Sequence, residues 1–293
     1  MLYLYKVSMN ARLKEMIRSC FKNRLAESLL VFLYRKKRKF RSWVAREAAY
    51  QERTLRFAER DGVLYKLDIS DVIGHSLFFF NHYFAPLEVF DMLKEDSIVI
   101  DIGANIGTVA LRAAKICKNG HVYAFEPDPL HHDSLKVNRG LNQFTNVTII
   151  PKALGSKPGQ AVLSKLEQRN AGMNRILPAE EAAQYNSTHI NVATLDDEMS
   201  SINPTRIDLI KIDVEGYEFH VLMGAQKTIA RYRPILVIEV IDTNLRIHQL
   251  SSTDVIDLLQ NWGYEILDLK THQPIVAGEK IETDILCTPQ KTH

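Results

Sequence analysis

Five acidic side chains stand where short apolar runs end, and their spacing is the first sign of chemistry in this chain. Asp101 opens the stretch Asp101-Ile-Gly-Ala-Asn-Ile-Gly107, and Glu126-Pro127 begins 25 residues later. Asp213 and Glu215 lie in Lys211-Ile-Asp-Val-Glu-Gly216, and Glu239 closes a further apolar run. Gly103 permits a tight turn and close approach of a ligand to the backbone, while Gly107 lets the next helix pack near the strand. A dinucleotide site would read G-x-G-x-x-G, with a pyrophosphate on the helix N-terminus. Here only Gly-x-x-x-Gly is present, and a carboxylate precedes it. That charge is a poor neighbour for pyrophosphate and a good one for a cation, such as the sulfonium or ammonium group of S-adenosylmethionine. Glu126 can accept two charge-assisted hydrogen bonds from vicinal ribose hydroxyls. The bland alternative is that Asp101 and Glu126 merely cap the helices after them; both together, at this spacing, favour the ligand.

Such side chains need a frame that brings them together. In an open α/β sheet, ligands bind beyond the carboxyl ends of the strands, where the strand order reverses. Buried apolar runs predict strands at 97–102, 121–125, 147–150, 207–212, 234–240 and 264–269, with a short alternating strand at 62–68. Helical patterns fall at 86–93, 108–118, 130–141, 218–230 and 253–262. This alternation predicts an α/β fold with a doubly wound, mostly parallel sheet covered on both faces. Residues 164–190 are the least regular, and 168–174 reads as a loop over the site.

From about residue 61 to 288 the chain resembles FkbM-type methyltransferases of the class I S-adenosylmethionine-dependent fold. The resemblance rests on Val99 to Gly107, Phe125-Glu-Pro-Asp128, Ala153-Leu-Gly155, Thr194-Leu-Asp-Asp197 and, most specifically, Asp208-Leu-Ile-Lys-Ile-Asp-Val-Glu-Gly216. Glu218, Val221 to Ala225 and Arg233 to Glu239 follow in order. It implies a Rossmann-like seven-stranded sheet and transfer of a methyl group to a hydroxyl on a sugar, glycolipid or natural product. It also implies a cofactor site at Asp101, Gly103, Asn105, Gly107, Glu126, Pro127 and Ala153. One departure is Ala85 before Pro86, where similar proteins often carry Glu.

Methyl transfer is an in-line displacement, so the protein mainly aligns the reacting atoms. A hydroxyl is a weak nucleophile and needs a base or a metal to take its proton. Asp213 is expected to face the methyl group and acceptor, with Glu215 as second carboxylate or orienter. Glu239 could join Asp213 around a divalent cation, which favours oxygen ligands. Alternatively Glu215 and Glu218 only serve the first turn of the next helix, where negative charge suits the dipole; for Glu218 that is the favoured reading. Lys211 faces away from Ile210 and Ile212 and is expected to pair with a local carboxylate. No H-E-x-x-H or G-x-S-x-G occurs, which disfavours a zinc or serine hydrolase. His75 and His82 could approach the acceptor, though a core or surface place suits them better. The competing classes are a nicotinamide oxidoreductase, against which the incomplete glycine pattern and Asp101 argue, and a non-catalytic module.

The chain has 293 residues, 46% of them hydrophobic and 25% charged, which excludes a disordered or collagen-like protein. Cys20, Cys117 and Cys287 show no paired spacing, so neither a zinc site nor a disulfide scaffold is indicated. The net charge of +2 conceals 16 Lys/Arg against 5 Asp/Glu in residues 1–60. With no Gly or Pro before Asp61, this reads as a basic helical arm, followed by a segment at 61–95 shaping the acceptor side and a methyltransferase domain at 96–290. Leu13, Met16, Ile17, Cys20, Phe21 and Leu25 form one apolar stripe. Residues 10–45 could lie on an anionic membrane surface or form a solvated or oligomerising helix; nucleic acid ranks third. If the arm binds membrane, removal of residues 1–45 is expected to abolish sedimentation with anionic vesicles and leave cofactor binding unchanged. The longest apolar run there has six residues, far below the roughly 18–20 of a membrane span, and no secretory cleavage site is evident. The expected location is cytoplasmic, with a peripheral membrane option. Nothing in the sequence assigns an oligomeric state.

Overall fold

The computed structural model describes residue 18 and residues 22–83, 86–167, 169–275, 278 and 280–290. The stripe residues Leu13 to Phe21 and the departure at Ala85 lie outside the described residues, as does Gln168. The main sheet has the order β12-β13-β11-β10-β3-β4-β5. Its strands are β3 (Ile98–Ile102), β4 (His121–Phe125), β5 (Val147–Ile150), β10 (Leu209–Ile212), β11 (Ile235–Ile241), β12 (Tyr264–Asp268) and β13 (Glu282–Pro289). Six point the same way, and β13 runs antiparallel to both of its neighbours, β11 and β12. From β3 the chain winds outward to β4 and β5; from β10 it winds the other way. The switch point therefore lies between β3 and β10, where Asp101 pairs with Lys211 and Ile102 with Ile212.

Strand alternation divides the core in two. Val99, Val122, Leu209 and Val237 belong to one apolar cluster, with Leu111 and Leu135 of the helices Ala110–Ile116 and Pro129–Leu141. Ile100, Ile102, Ile210, Ile212, Leu236 and Ile238 belong to the other, against helices Leu195–Ile202, Glu218–Met223, Gln226–Tyr232 and Ser252–Asn261. Each buried Leu or Ile contributes about 1.5–3 kcal/mol. Asp101, Lys211 and Glu239 sit two places further along the strands from Val99, Leu209 and Val237, so one apolar row ends in charged residues.

The structure corrects three expectations. First, residues 22–60 do not form one helical arm. The helix Arg24–Lys36, capped by Asn23, stops inside the basic run, and β1 (Leu55–Arg60) pairs with β2 (Val63–Asp68). Repulsion along Arg35–Lys39 opposes helix growth. The Asp61-Gly62 turn, with φ of +50° and +74°, is a strong hairpin signal inside the supposed boundary. Leu30, Val44, Ala45 and Tyr50 are buried in the first cluster, so deleting residues 1–45 would strip part of the core. Glu27 is fully buried and takes a two-pronged bond from Arg56 at 2.6 and 3.1 Å.

Second, the stretch 164–190, expected to be the least regular, is built largely of strands, while the turn at 169–173 lies on the cavity as the expected loop over the site. β7 (Gly159–Lys165), β8 (Asn174–Ile176) and β9 (Asn186–Ala193) form a small sheet with β6 (Ala153–Leu154), in the order β6-β9-β7-β8. Third, the helix expected over 218–230 breaks at Gly224, where a Cβ would come within 2.0 Å of the Gly155 carbonyl oxygen. No helix among the described residues is long and apolar enough to cross a membrane.

Candidate active site

A cavity of about 240 Å³ opens at the switch point. Gly103 follows β3 with φ of +81°, and a Cβ there would lie 1.9 Å from the Asp213 carbonyl oxygen. Only glycine lets the turns after β3 and β10 meet so closely. The N–H groups of Gly103 and Ala104 both donate to the Phe125 carbonyl. Asn105, at φ +51°, donates its backbone N–H to Glu126 Oε2 at 2.7 Å.

Glu126 is buried on the cavity wall, and its Oε1 accepts the Asp128 N–H at 2.8 Å. Asp128, not Glu126, caps the helix Pro129–Leu141. Each Glu126 oxygen keeps accepting capacity beyond its one backbone bond, so two ligand hydroxyls can be received by a group that is already fixed. Burial raises its pKa, against the pull of His131 and the two N–H groups. Gly103, Asn105, Pro127 and Ala153 share this wall, with Phe125 and Leu154 supplying apolar surface. Gly107 does not; it lies against Leu111 and Leu135.

Asp101 is placed differently from its expected direct contact with the ligand. Its side chain is fully buried and is not part of the cavity wall. Neither of its oxygens has a hydrogen-bond partner of normal geometry among the described residues. The Lys211 ammonium stands 3.9 Å away and bonds Asp213 Oδ2 at 2.9 Å. Burial pushes the Asp101 pKa up to about 6, despite the Lys211 charge. Lys211 does line the cavity, so it links the buried carboxylate to the half-buried Asp213.

Asp213, Glu215 and Glu239 share the cavity wall, and one carboxylate oxygen from each lies within 4.8 Å of the others. Glu215 Oε2 accepts from Arg175 Nη2 at 3.1 Å and Asn244 Nδ2 at 3.0 Å. The charge of Asp213, then burial, then Glu215 and Asp284 raise the Glu239 pKa to about 9. Asp284, opposite Glu239 in the register, is raised to about 6 by burial and then by Asp213. Glu218 is off the wall; its Oε1 accepts the Val214 and Gly216 N–H groups, and burial raises it to about 7. His75 is buried and bonded to the Ala45 carbonyl at 2.8 Å.

These raised carboxylates hold protons in the folded chain that they release on unfolding. Their stabilising contribution is complete below the unfolded pKa, near pH 4, and is lost as pH rises through 6 to 9. The melting temperature of the ligand-free protein is therefore expected to fall between about pH 5 and 9. Glu239→Gln, which needs no proton to be neutral, should fall less; equal slopes in a thermal scan would remove Glu239 as the cause.

Tyr217, which sequence reasoning passed over, also faces the cavity, as do Lys211 and, from the stretch expected to loop over the site, Met173 and Asn174. Lys211 was legible as the partner of a local carboxylate but not as a cavity residue. Asn174 and Met173 belong to the small-sheet region, whose signal was the alternation of Ile190 and Val192 with His189 and Asn191 in β9.

Comparison with known proteins places this geometry. The model of the methyltransferase FkbM domain matches residues 101–266. The 2-O-methyltransferase NoeI of Sinorhizobium fredii is 28% identical, over 58% of this chain and 73% of its own. The 31-O-demethyl-FK506 methyltransferase FkbM of Streptomyces tacrolimicus is 28% identical, over 64% and 80%. Methyltransferase sdnD of Sordaria araneosa is 26% identical over 46% of this chain, and the match spans about three-fifths (62%) of that relative's length. With the matched domain covering more than half of its length and containing the end of β3 and all of β4, β10 and β11, with their terminal acids, the chain belongs to the FkbM methyltransferase family.

Proposed function

We propose that this protein transfers a methyl group from S-adenosylmethionine to a hydroxyl oxygen of a small-molecule or sugar acceptor. The observation that carries the reading is that one cavity is bracketed by Glu126 on one side and by Asp213, Glu215 and Glu239 on the other. The donor set fits the cofactor: Glu126 suits the ribose hydroxyls, Phe125, Leu154 and Pro127 suit an aromatic base, and the carboxylate cluster suits positive charge. Bound there, S-adenosylmethionine would supply an electrophilic methyl carbon carried on a sulfonium. Asp213 receives the acceptor hydroxyl proton. Lys211 holds one oxygen of Asp213 and leaves the other for that proton. Glu215, clamped by Arg175 and Asn244, orients the acceptor. Glu239, protonated at neutral pH, donates a hydrogen bond rather than accepting a proton. Asp101 acts through Lys211 as a positioning residue.

Titration calorimetry with the cofactor tests the first half of the reading; no heat with the cofactor or its demethylated product would sink it. Glu126→Ala should weaken the cofactor about 100-fold, the loss of two charge-assisted bonds at roughly 1.5 kcal/mol each. The acceptor is sought by incubating enzyme and deuterated methyl donor with a cell extract and finding by mass spectrometry what gains the label. A second reading is favoured by the 4.8 Å spacing of the three carboxylates, which suits a divalent cation. Magnesium or manganese that raises the melting temperature of the wild type but not of Glu239→Gln would assign that cation. No shift in either leaves the cluster to proton chemistry.

A further inference from the structure

We propose that the outer face of the helix Arg24–Lys36, with the basic run after it, docks on an anionic lipid bilayer. The helix is fastened to the fold by its inner face. Leu30 is buried, Glu27 is bonded to Arg56, and the Tyr34 ring packs edge-on to Phe80 at 5.0 Å. The opposite row is apolar and open to solvent: Leu25 is 86% exposed, Leu29 51% and Phe32 56%. Their spacing of four and three residues makes one continuous stripe. A stripe of this kind is costly in water unless something covers it.

The charge around the stripe says what covers it. Residues 22–50 carry nine Lys and Arg against two Glu, and one of those two is the buried Glu27. Lys36, Lys37, Arg38 and Lys39 are exposed directly after the stripe. The Lys36 ammonium lies 5.8 Å from the Phe32 ring centre, so its stem runs beside an aromatic while its charge remains free to reach a headgroup. Trp43, 46% exposed, adds a side chain suited to the interface between headgroup and acyl chain. A nucleic acid would use the basic groups but would leave Leu25 and Leu29 in water. An anionic bilayer satisfies both, because the leucines enter the acyl boundary while the cations meet phosphate. The chain beyond the docked segment is tied to the turn that leads into the cavity wall. Arg169 Nη1 donates to the carbonyls of Glu47 and Tyr50, and the turn at Gly172 and Met173 lines the cavity.

The test needs no acceptor and is independent of the methyl-transfer reading. Full-length protein is sedimented with phosphatidylcholine vesicles, with or without about 30% phosphatidylserine. Binding is expected only to the anionic vesicles, with at least a tenfold loss between about 0.1 and 0.5 M salt. The double variant Leu25→Glu/Phe32→Glu and the triple variant Lys36→Glu/Lys37→Glu/Lys39→Glu should each weaken binding at least tenfold. All five side chains are exposed, so melting temperatures should be unchanged. In the unmodified protein, Trp43 emission should shift to the blue on binding, and Trp43→Phe should remove that shift. Failure to bind anionic vesicles overturns the proposal. So does binding that the charge variant abolishes while Leu25→Glu/Phe32→Glu leaves it intact, or RNA capture in the absence of any vesicle binding.

Discussion

Asp213→Asn is expected to lower methyl transfer by about 10²–10⁴-fold, the usual contribution of a positioned general base, while cofactor affinity changes by no more than about threefold. Asparagine preserves the shape of the side chain and an oxygen for Lys211, so what it removes is the ability to take a proton. The expected signature is a fall in kcat at nearly constant cofactor Kd. Asp213 is singled out by its surroundings. Glu239 is raised to about 9 and already carries a proton at neutral pH, while Glu215 has one oxygen committed to both Arg175 and Asn244. Glu215→Gln should therefore act mainly on acceptor KM. If Asp213→Asn kept full kcat and Glu215→Gln lost it, the two roles would have to be exchanged. The measurement uses the acceptor recovered from the labelled extract.

The parts of this fold that could be read from the sequence are those whose signal is local and strong. β3, β4, β10 and β11 are continuous apolar runs because both their faces are covered, and their ends fall within two residues of the expected places. The acids at those ends were found for the same reason: a carboxylate closing an apolar run is conspicuous. What could not be read is how the helices close over them. Strand alternation puts Asp101 on the Val99 face, yet only the packing of the first cluster decides that its carboxylate is sealed from the cavity and answered by Lys211. β1 was hidden because its inward-facing positions are Arg56, Ala58 and Arg60, which give no apolar alternation, and its pairing depends on a partner strand beyond the turn. The break at Gly224 follows from the approach of Gly155, 69 positions earlier, which no local pattern encodes.

Lys211→Met should destabilise the protein by about 3–5 kcal/mol in urea unfolding at neutral pH, the cost of removing one partner from a buried charge set. Burial alone would lower the lysine pKa, but Asp213 and then Asp101 outweigh it and raise it, so the ammonium stays charged between the two. Removing it leaves Asp101 fully buried with no countercharge and no normal hydrogen bond among the described residues. Two controls separate this account from simple loss of packing. Adding Asp101→Asn to Lys211→Met should recover a large part of the loss, because a neutral amide needs no cation, whereas two independent packing defects would add. The destabilisation should also shrink below about pH 6, where Asp101 takes up a proton and no longer requires the lysine. A loss that is the same at pH 5 and pH 8, and unrelieved by Asp101→Asn, would mean that Lys211 serves Asp213 alone and that the buried carboxylate is neutral throughout.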